Sequence, residues 1–444
     1  MAAFHMAWFG FCMAFTAWFS FSPLMPEIKK SLGLTKVEVY NANIASISAT
    51  IGARFIIGPL CDSVGARTIQ TVILVLGGIS TYFGAIVNNA TDLAVVRFFV
   101  GILGATFVST MYWTSAHFAK EVVGAANATA AGWGNFGGGL THLLMIAIWN
   151  MFQNAGYNAE EAWRRSFYIP ASIVLVTAVM TYFLAEDSPK GNYKELYKHG
   201  SVVRRSSVKS AQSAWGSPTA WCVCCPLLSG TAGLLLGRSF MVLALQYAMS
   251  FGMELTLVNF SPLFFSQKWG VSTTKAGLIS ALFGCMNLFA RSLGGFASDA
   301  VFKKMGAGAV GMRGRIIVQF SCVLLEGVTL VIFATRDTLN SAVVMLAVFS
   351  LFVAMSNGSL YGIVPYVRPN ATGATSGVVG AGGNIGALCW SLYFRFGPSD
   401  MSRIFETLGY LVMGVAFTTP LIAIRGYDTC FTKAKGEQAS LDEI

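Results

Sequence analysis

Arg54, Arg97 and Arg291 stand inside long apolar stretches, and Arg238 stands at the lip of another. A guanidinium at mid-membrane costs roughly 2.5–3.5 kcal/mol even on insertion scales, so an arginine there needs a reason. Arg238 can carry its charge outward along its methylene stem. Arg54 and Arg291 share a setting: Arg54-x-x-x-Gly58-x-x-x-Asp62 and Arg291-x-x-x-Gly295-x-x-x-Asp299 have the same spacing. No carboxylate stands close by in sequence on the same helix face to neutralise either arginine. Two such guanidiniums facing each other repel, and an anion between them removes the repulsion. The flat, forked donor set of arginine suits a planar oxyanion. The competing reading is that each arginine pairs with an acid from another stretch, such as Glu254 or Glu326.

A second repeated pattern carries neutral donors. Gly124-Ala125 leads to Asn135, and Gly373-Ala374 leads to Asn384 at the same distance. Around these asparagines run Gly132-Trp133-Gly134-Asn135-Phe136-Gly137-Gly138-Gly139 and Gly380-Ala381-Gly382-Gly383-Asn384-Ile385-Gly386. Small residues let helices close up and bring backbone to a cavity, and asparagine adds donors there without adding charge. Most of the glycines read as packing. Asn135 and Asn384 read as cavity residues with Gly134 and Gly383 beside them, and Asn384, in the less complete motif, is expected to matter less. Phe107, Tyr247 and Phe251 carry ring surface at similar depth, and Tyr247 and Phe251 share a helix face at i, i+4. Acids and histidines inside apolar stretches are few: Glu254, Glu326, His142 and His117. Glu254 lies two turns past Tyr247, and His142 two turns past Asn135, each on the same face. Glu254, His142 and Arg97 are the candidates for handling a proton. No nucleophile–base pair and no metal-ligand spacing appears, so neither an enzyme nor a metal or cofactor site is expected.

These residues need a membrane scaffold. Hydrophobic residues make up 55% of the 444 and charged residues only 11%, against about a quarter in soluble domains. That excludes a soluble globular domain, a disordered chain and a disulfide scaffold. The nine cysteines, including Cys222, Cys224 and Cys225, read as small hydrophobes. The net charge of +10 marks the cytoplasmic face of a membrane protein, with no nucleic-acid partner expected. The apolar pattern predicts an all-α membrane protein of twelve spans, at 4–25, 38–60, 69–88, 92–118, 123–152, 164–185, 238–262, 273–298, 314–335, 338–365, 371–395 and 403–424. The domains expected are an N-terminal six-helix bundle (1–185), a cytoplasmic linker (186–237), a C-terminal six-helix bundle (238–425) and a tail (426–444). Within the linker, Trp221–Leu236 reads as an interfacial stretch leading into span seven. With both termini inside, the inner loops and tail hold 16 Lys and Arg and the outer loops 10, which favours that orientation. The first apolar run begins near Ala3 and is too long for a signal-peptide core. No cytosolic segment precedes it, which leaves room for an upstream start. Two six-span repeats in parallel relation place their shared site between the halves near mid-membrane.

The segment Gly58-Pro59-Leu60-Cys61-Asp62-Ser63-Val64-Gly65-Ala66-Arg67 resembles the G-x-L-x-D-x-x-G-x-R loop motif of the major facilitator superfamily. Arg97-x-x-x-Gly101-x-x-Gly104 resembles that superfamily's weaker span-four motif. The glycine motif Gly132–Gly139, together with Arg54–Asp62, Trp18–Pro26, Phe107-Val108-Ser109 and Gly252-Met253-Glu254-Leu255, resembles the nitrate/nitrite porter family, most closely its high-affinity eukaryotic transporters. The resemblance implies a rocker-switch transporter in the plasma membrane that takes up nitrate, and nitrite with it. It implies that Arg54 and Arg291 clamp the anion, that Asn135 hydrogen-bonds it, and that Phe107, Tyr247 and Phe251 shape its slot. Asp62, Arg67 and Asp299 become gating residues. Uptake coupled to protons is favoured; electroneutral nitrate/nitrite exchange, or a porter for another small anion, is the alternative. The second glycine motif departs from the pattern, because Ala387 follows Gly386. The short central loop and tail make a partner subunit an unneeded addition to the lipid bilayer.

Overall fold

The computed structural model describes residues 1–118, 123–192, 195, 231–306, 308–367, 372–398 and 400–431. The described residues are helical almost throughout and contain no strand. Numbered in chain order, spans one to six are Ala2–Ser31, Lys36–Val64, Ala66–Ile86, Ala90–His117, Val123–Asn154 and Ala159–Leu184. Spans seven to twelve are Thr231–Trp269, Thr273–Lys304, Gly308–Ala334, Leu339–Val367, Thr372–Phe396 and Met401–Leu421. All twelve expected helical spans are present. Thr231–Leu236, the end of the stretch expected to lead into span seven, is helical and continuous with the span-seven helix; its Leu234-Leu235-Leu236 run favours helix. The rest of that stretch, the three clustered cysteines, and the linker's Lys194, Lys198, Arg204, Arg205 and Lys209 lie outside the described residues.

Ten of the spans are long and apolar enough to cross a membrane. Spans five and eleven are long enough but less apolar. Their glycines, together with Asn135, His142 and Asn384, dilute the hydropathy. The helices that look least suited to lipid are therefore those carrying the asparagine motifs, and they are packed inside the protein. Span five lies against spans one and eight, and span eleven against spans seven and two. Large apolar side chains such as Ile56, Phe83, Phe183, Phe296 and Val344 point outward instead, as a lipid-facing surface requires.

Helix starts follow the local sequence. Every even-numbered span opens on a capping side chain: Thr35, Asn89, Asn158, Ser272, Thr338 and Asp400 each accept a backbone N–H of the first turn. Thr35 and Glu38 complete a reciprocal capping box. Two interruptions matter for the site. Span one breaks after Phe19, where Pro23 cannot donate to the carbonyl one turn back. Span four tightens into a 3-10 turn at Gly101–Ala105. A Cβ on Gly101 would lie 2.2 Å from Ser46 O of span two, so the glycine permits that close approach. Thr50 of span two donates to Gly101 O at 2.6 Å.

Candidate functional site

Arg54 is fully buried, and its guanidinium is held by neutral acceptors. Nε and Nη2 donate to Gly104 O in the 3-10 turn of span four, at 3.1 and 2.9 Å. Nη1 donates to Gly380 O of span eleven at 2.7 Å. With its amide oriented to suit the guanidinium, Asn384 Oδ1 accepts from Nη1 at 2.8 Å and from Nε at 3.0 Å. No acid among the described residues pairs with this arginine. Span two thus inserts a full positive charge into a ring of carbonyl and amide oxygens.

Arg291 of span eight is equally buried and differently held. Nη2 donates to Tyr247 Oη at 3.0 Å. Nη1 lies 3.6 Å from Glu254 Oε2, and neither Nε nor Nη1 makes a hydrogen bond. Glu254 is anchored by Asn287 Nδ2 to Oε1 and by Asn357 Nδ2 to Oε2, both at 2.8 Å. Of the two readings of the arginines, the alternative of an acid from another span holds for Arg291, where span seven supplies Glu254 across the helix interface. No residue on the arginine's own helix face could reveal this, because the partner comes from another span.

Three predicted aromatics come together here. Tyr247 and Phe251 stack with ring centres 4.9 Å apart and planes 6° apart. Phe107 lies near-parallel to Phe251 at 6.2 Å. The Arg54 Cζ stands 4.9 Å from the Phe107 ring centre and 5.5 Å from that of Phe251, and the Arg291 Cζ stands 5.7 Å from the latter. Phe251 is therefore shared by both cations, each drawn to its π face. The guanidiniums are close enough for their charges to act on one another. A Cβ on Gly383 would lie 2.6 Å from Phe251 Cδ1 and 2.8 Å from Tyr247 Cδ1, so this glycine makes room for the stack. Gly134 instead makes room for Phe11, at 1.8 Å, and Gly139 meets the backbone of Gly284 and Cys285. These are packing roles.

Asn135 is buried; its Nδ2 donates to Ala131 O at 2.8 Å and its Oδ1 has no partner. It is not among the hydrogen-bond partners of either arginine. His142 is held through Nδ1 by Gly138 O at 2.8 Å, also apart from the arginines. Arg97 donates to Asn259 Oδ1 of span seven at 3.0 Å and lies over Phe21, a contact between the halves rather than part of the arginine pair. Among the residues expected to gate, Asp299 pairs with Arg315 of span nine at 2.7 Å. Arg67 donates to Tyr182 O at 3.2 Å and stacks on that ring. The side chain of Asp62 lies outside the described residues.

Sequence reading missed several participants. Tyr361 packs edge-on against Phe107 and Tyr247, and it lies one turn past Asn357, a Glu254 anchor. Asn287 lies one turn before Arg291. Asn287 was findable as the i, i+4 neighbour of Arg291. Asp187 accepts the Arg67 backbone N–H at 2.9 Å, placing a carboxylate at the start of span three.

The Major Facilitator Superfamily profile matches residues 7–390. The chain is 34% identical over 426 residues to the high-affinity nitrate transporter 2.3 of Oryza sativa subsp. japonica, covering 96% of this chain and 77% of that one. It is 35% identical over 430 residues to nitrate transporter 2.1 of Chlamydomonas reinhardtii, covering 96% and 74%. Among solved structures, the human organic anion transporter MFSD10 superposes with a TM-score of 0.64 at 15% identity, covering 94% of this chain and 99% of that one.

Proposed function

The chain belongs to the nitrate/nitrite porter family of the major facilitator superfamily, and from that premise we propose that it takes up nitrate, and nitrite with it, by proton symport through rocker-switch alternating access. One observation carries the reading. Two fully buried guanidiniums share the Phe251 ring, and Arg291 keeps Nε and Nη1 free of hydrogen bonds. An unused charged donor in a dry interior is costly, and a planar oxyanion held edge-on between the two forks satisfies it.

In this scheme Arg54 is the fixed charge and Arg291 the adjustable one, shared between Glu254 and the anion. Phe107, Tyr247 and Phe251 wall the slot. Gly134 and Gly383 permit the packing, and Asn135 turns its amide to the anion. Moving one negative charge into a cell costs about 2.3 kcal/mol per 100 mV, so uptake needs at least two protons per nitrate to run inward with net positive charge. Glu254 takes up one proton as the anion occupies Arg291, with His142 and Arg97 as further candidates. Asp62, Arg67 and Asp299 gate the cytosolic ends. The two bundles, 1–185 and 238–425, rock about this centre, joined by the linker 186–237. The tail 426–444 and both termini face the cytoplasm, and the membrane is the plasma membrane. No partner subunit enters the scheme.

Uptake in cells lacking their own nitrate transport, with nitrate, nitrite, chlorate and phosphate offered separately, tests it. Nitrate is expected to enter with an inward current that grows as external pH falls. Phosphate uptake without nitrate uptake would make it a porter for another anion. Nitrate entry that produces no current and needs internal nitrite would make it an exchanger.

A further inference from the structure

Glu326 of span nine is the other buried carboxyl within a span among the described residues, and it is fully enclosed. Its Oε2 accepts from Ser250 Oγ of span seven at 2.9 Å and from Ser356 Oγ of span ten at 2.7 Å. Its Oε1 has no hydrogen-bond partner. No Lys, Arg or His of the described residues is within ion-pair distance. The ionisable groups that act on it are Glu254 from span seven and Cys322 on its own helix. Span twelve, packed against span nine, carries Arg403, Glu406 and Tyr410, none of them buried. A bare carboxylate here would face a second carboxylate and no cation, with one oxygen unserved. Protonation removes the charge, and the solvation penalty goes with it.

Glu326 is also wired to the anion site. Ser250 precedes Phe251 and stands one turn before Glu254 on span seven. Ser356 precedes Asn357, the residue that donates to Glu254 Oε2 at 2.8 Å. Adjacent residues on two helices thus brace the two acids, so a change in one is felt at the other.

We propose that Glu326 is the second proton-carrying group of the transport cycle, taking one proton as Glu254 takes the other and releasing it to the cytoplasm. The inference rests on the proton-symport reading above. Two protons per nitrate need two groups, and among the described residues the spans bury two carboxyls. In each cycle a carboxylate gains a proton from outside and the same O–H loses it inside, so charge and atoms balance.

The test is the charge moved per labelled nitrate in voltage-clamped cells expressing the full chain. Wild type is expected to carry one net positive charge per nitrate. E326Q is expected to accumulate labelled nitrate with its nitrate-evoked current reduced to near zero, because one proton per nitrate is electroneutral. An unchanged charge-to-nitrate ratio in E326Q would overturn the proposal and leave proton symport standing. A wild-type ratio of zero would overturn symport itself, and the second proton with it. A current that follows sodium at fixed pH would assign the same oxygens to a metal cation and also overturn the proposal. Should E326Q fail to reach the membrane, S356A removes one donor to the carboxylate and is expected to move the half-maximal pH of the current upward; an unmoved profile would overturn the assignment.

Discussion

The two halves present an arginine at matching positions and hold it by different chemistry. Around Arg54 every hydrogen-bond acceptor is a neutral oxygen: Gly104 O, Gly380 O and Asn384 Oδ1. Around Arg291 stand a phenol and a carboxylate, and two nitrogens remain without hydrogen bonds. The internal repeat therefore fixes where the charges sit and not how they are balanced. The Arg54 side holds a permanent charge. The Arg291 side carries a charge that Glu254 can cancel or release. An anion porter that couples to protons needs both kinds, one to attract and one to switch.

The sharpest break of this asymmetry is charge-conserving. Arg54→Lys and Arg291→Lys should each lower nitrate uptake by the equivalent of roughly 3–5 kcal/mol, the scale for breaking a buried charged contact. The Arg54 variant should be the worse, since one ammonium cannot reach acceptors on both span four and span eleven. Near-normal affinity in either, measured by uptake kinetics at equal surface expression, would remove the clamp.

Glu254→Gln should spare nitrate uptake at low pH and flatten its pH dependence to the share carried by Glu326, because an amide cannot release a proton to re-form the ion pair with Arg291. A pH profile in this variant identical to that of wild type would move Glu254's share of the coupling elsewhere.

Asn384→Ala should weaken nitrate affinity by about 1.5–3 kcal/mol, the value for a hydrogen bond to a charged group. Asn135→Ala should cost about 0.5–1.5 kcal/mol, because its amide already bonds its own helix. This order reverses the one expected from the completeness of the glycine motifs. The reason is that Asn384 touches Arg54 directly. Equal and negligible losses in a nitrate competition assay would make both asparagines packing elements. The smallest effect should be Tyr247→Phe, which removes one acceptor of an Arg291 hydrogen bond and keeps the ring stack; a loss as large as that of Arg291→Lys would mean the phenol itself contacts the anion.

What could be read from the sequence was whatever a single helix encodes. Twelve spans, the Arg54 and Arg291 positions and the Tyr247–Phe251 face all follow from periodicity along one segment. The Arg291–Glu254 contact appeared only as an alternative, because its distance depends on how spans seven and eight meet. The acceptors of Arg54 were illegible for a different reason. Two are backbone carbonyls, Gly104 O and Gly380 O, which every residue possesses, and they become ligands only where a 3-10 turn and a glycine let another helix come close. Tyr361 was hidden by its chemistry: an aromatic inside an apolar span reads as core until its neighbours are known.

The switching role proposed for Arg291 can be measured without transport. Nitrate affinity of the purified protein, titrated as pH falls from about 8 to about 5, should tighten in wild type, since protonating Glu254 frees Arg291 for the anion. In Glu254→Gln it should be tight throughout and flat. Affinity that is independent of pH in wild type, or that weakens on acidification, would contradict the account.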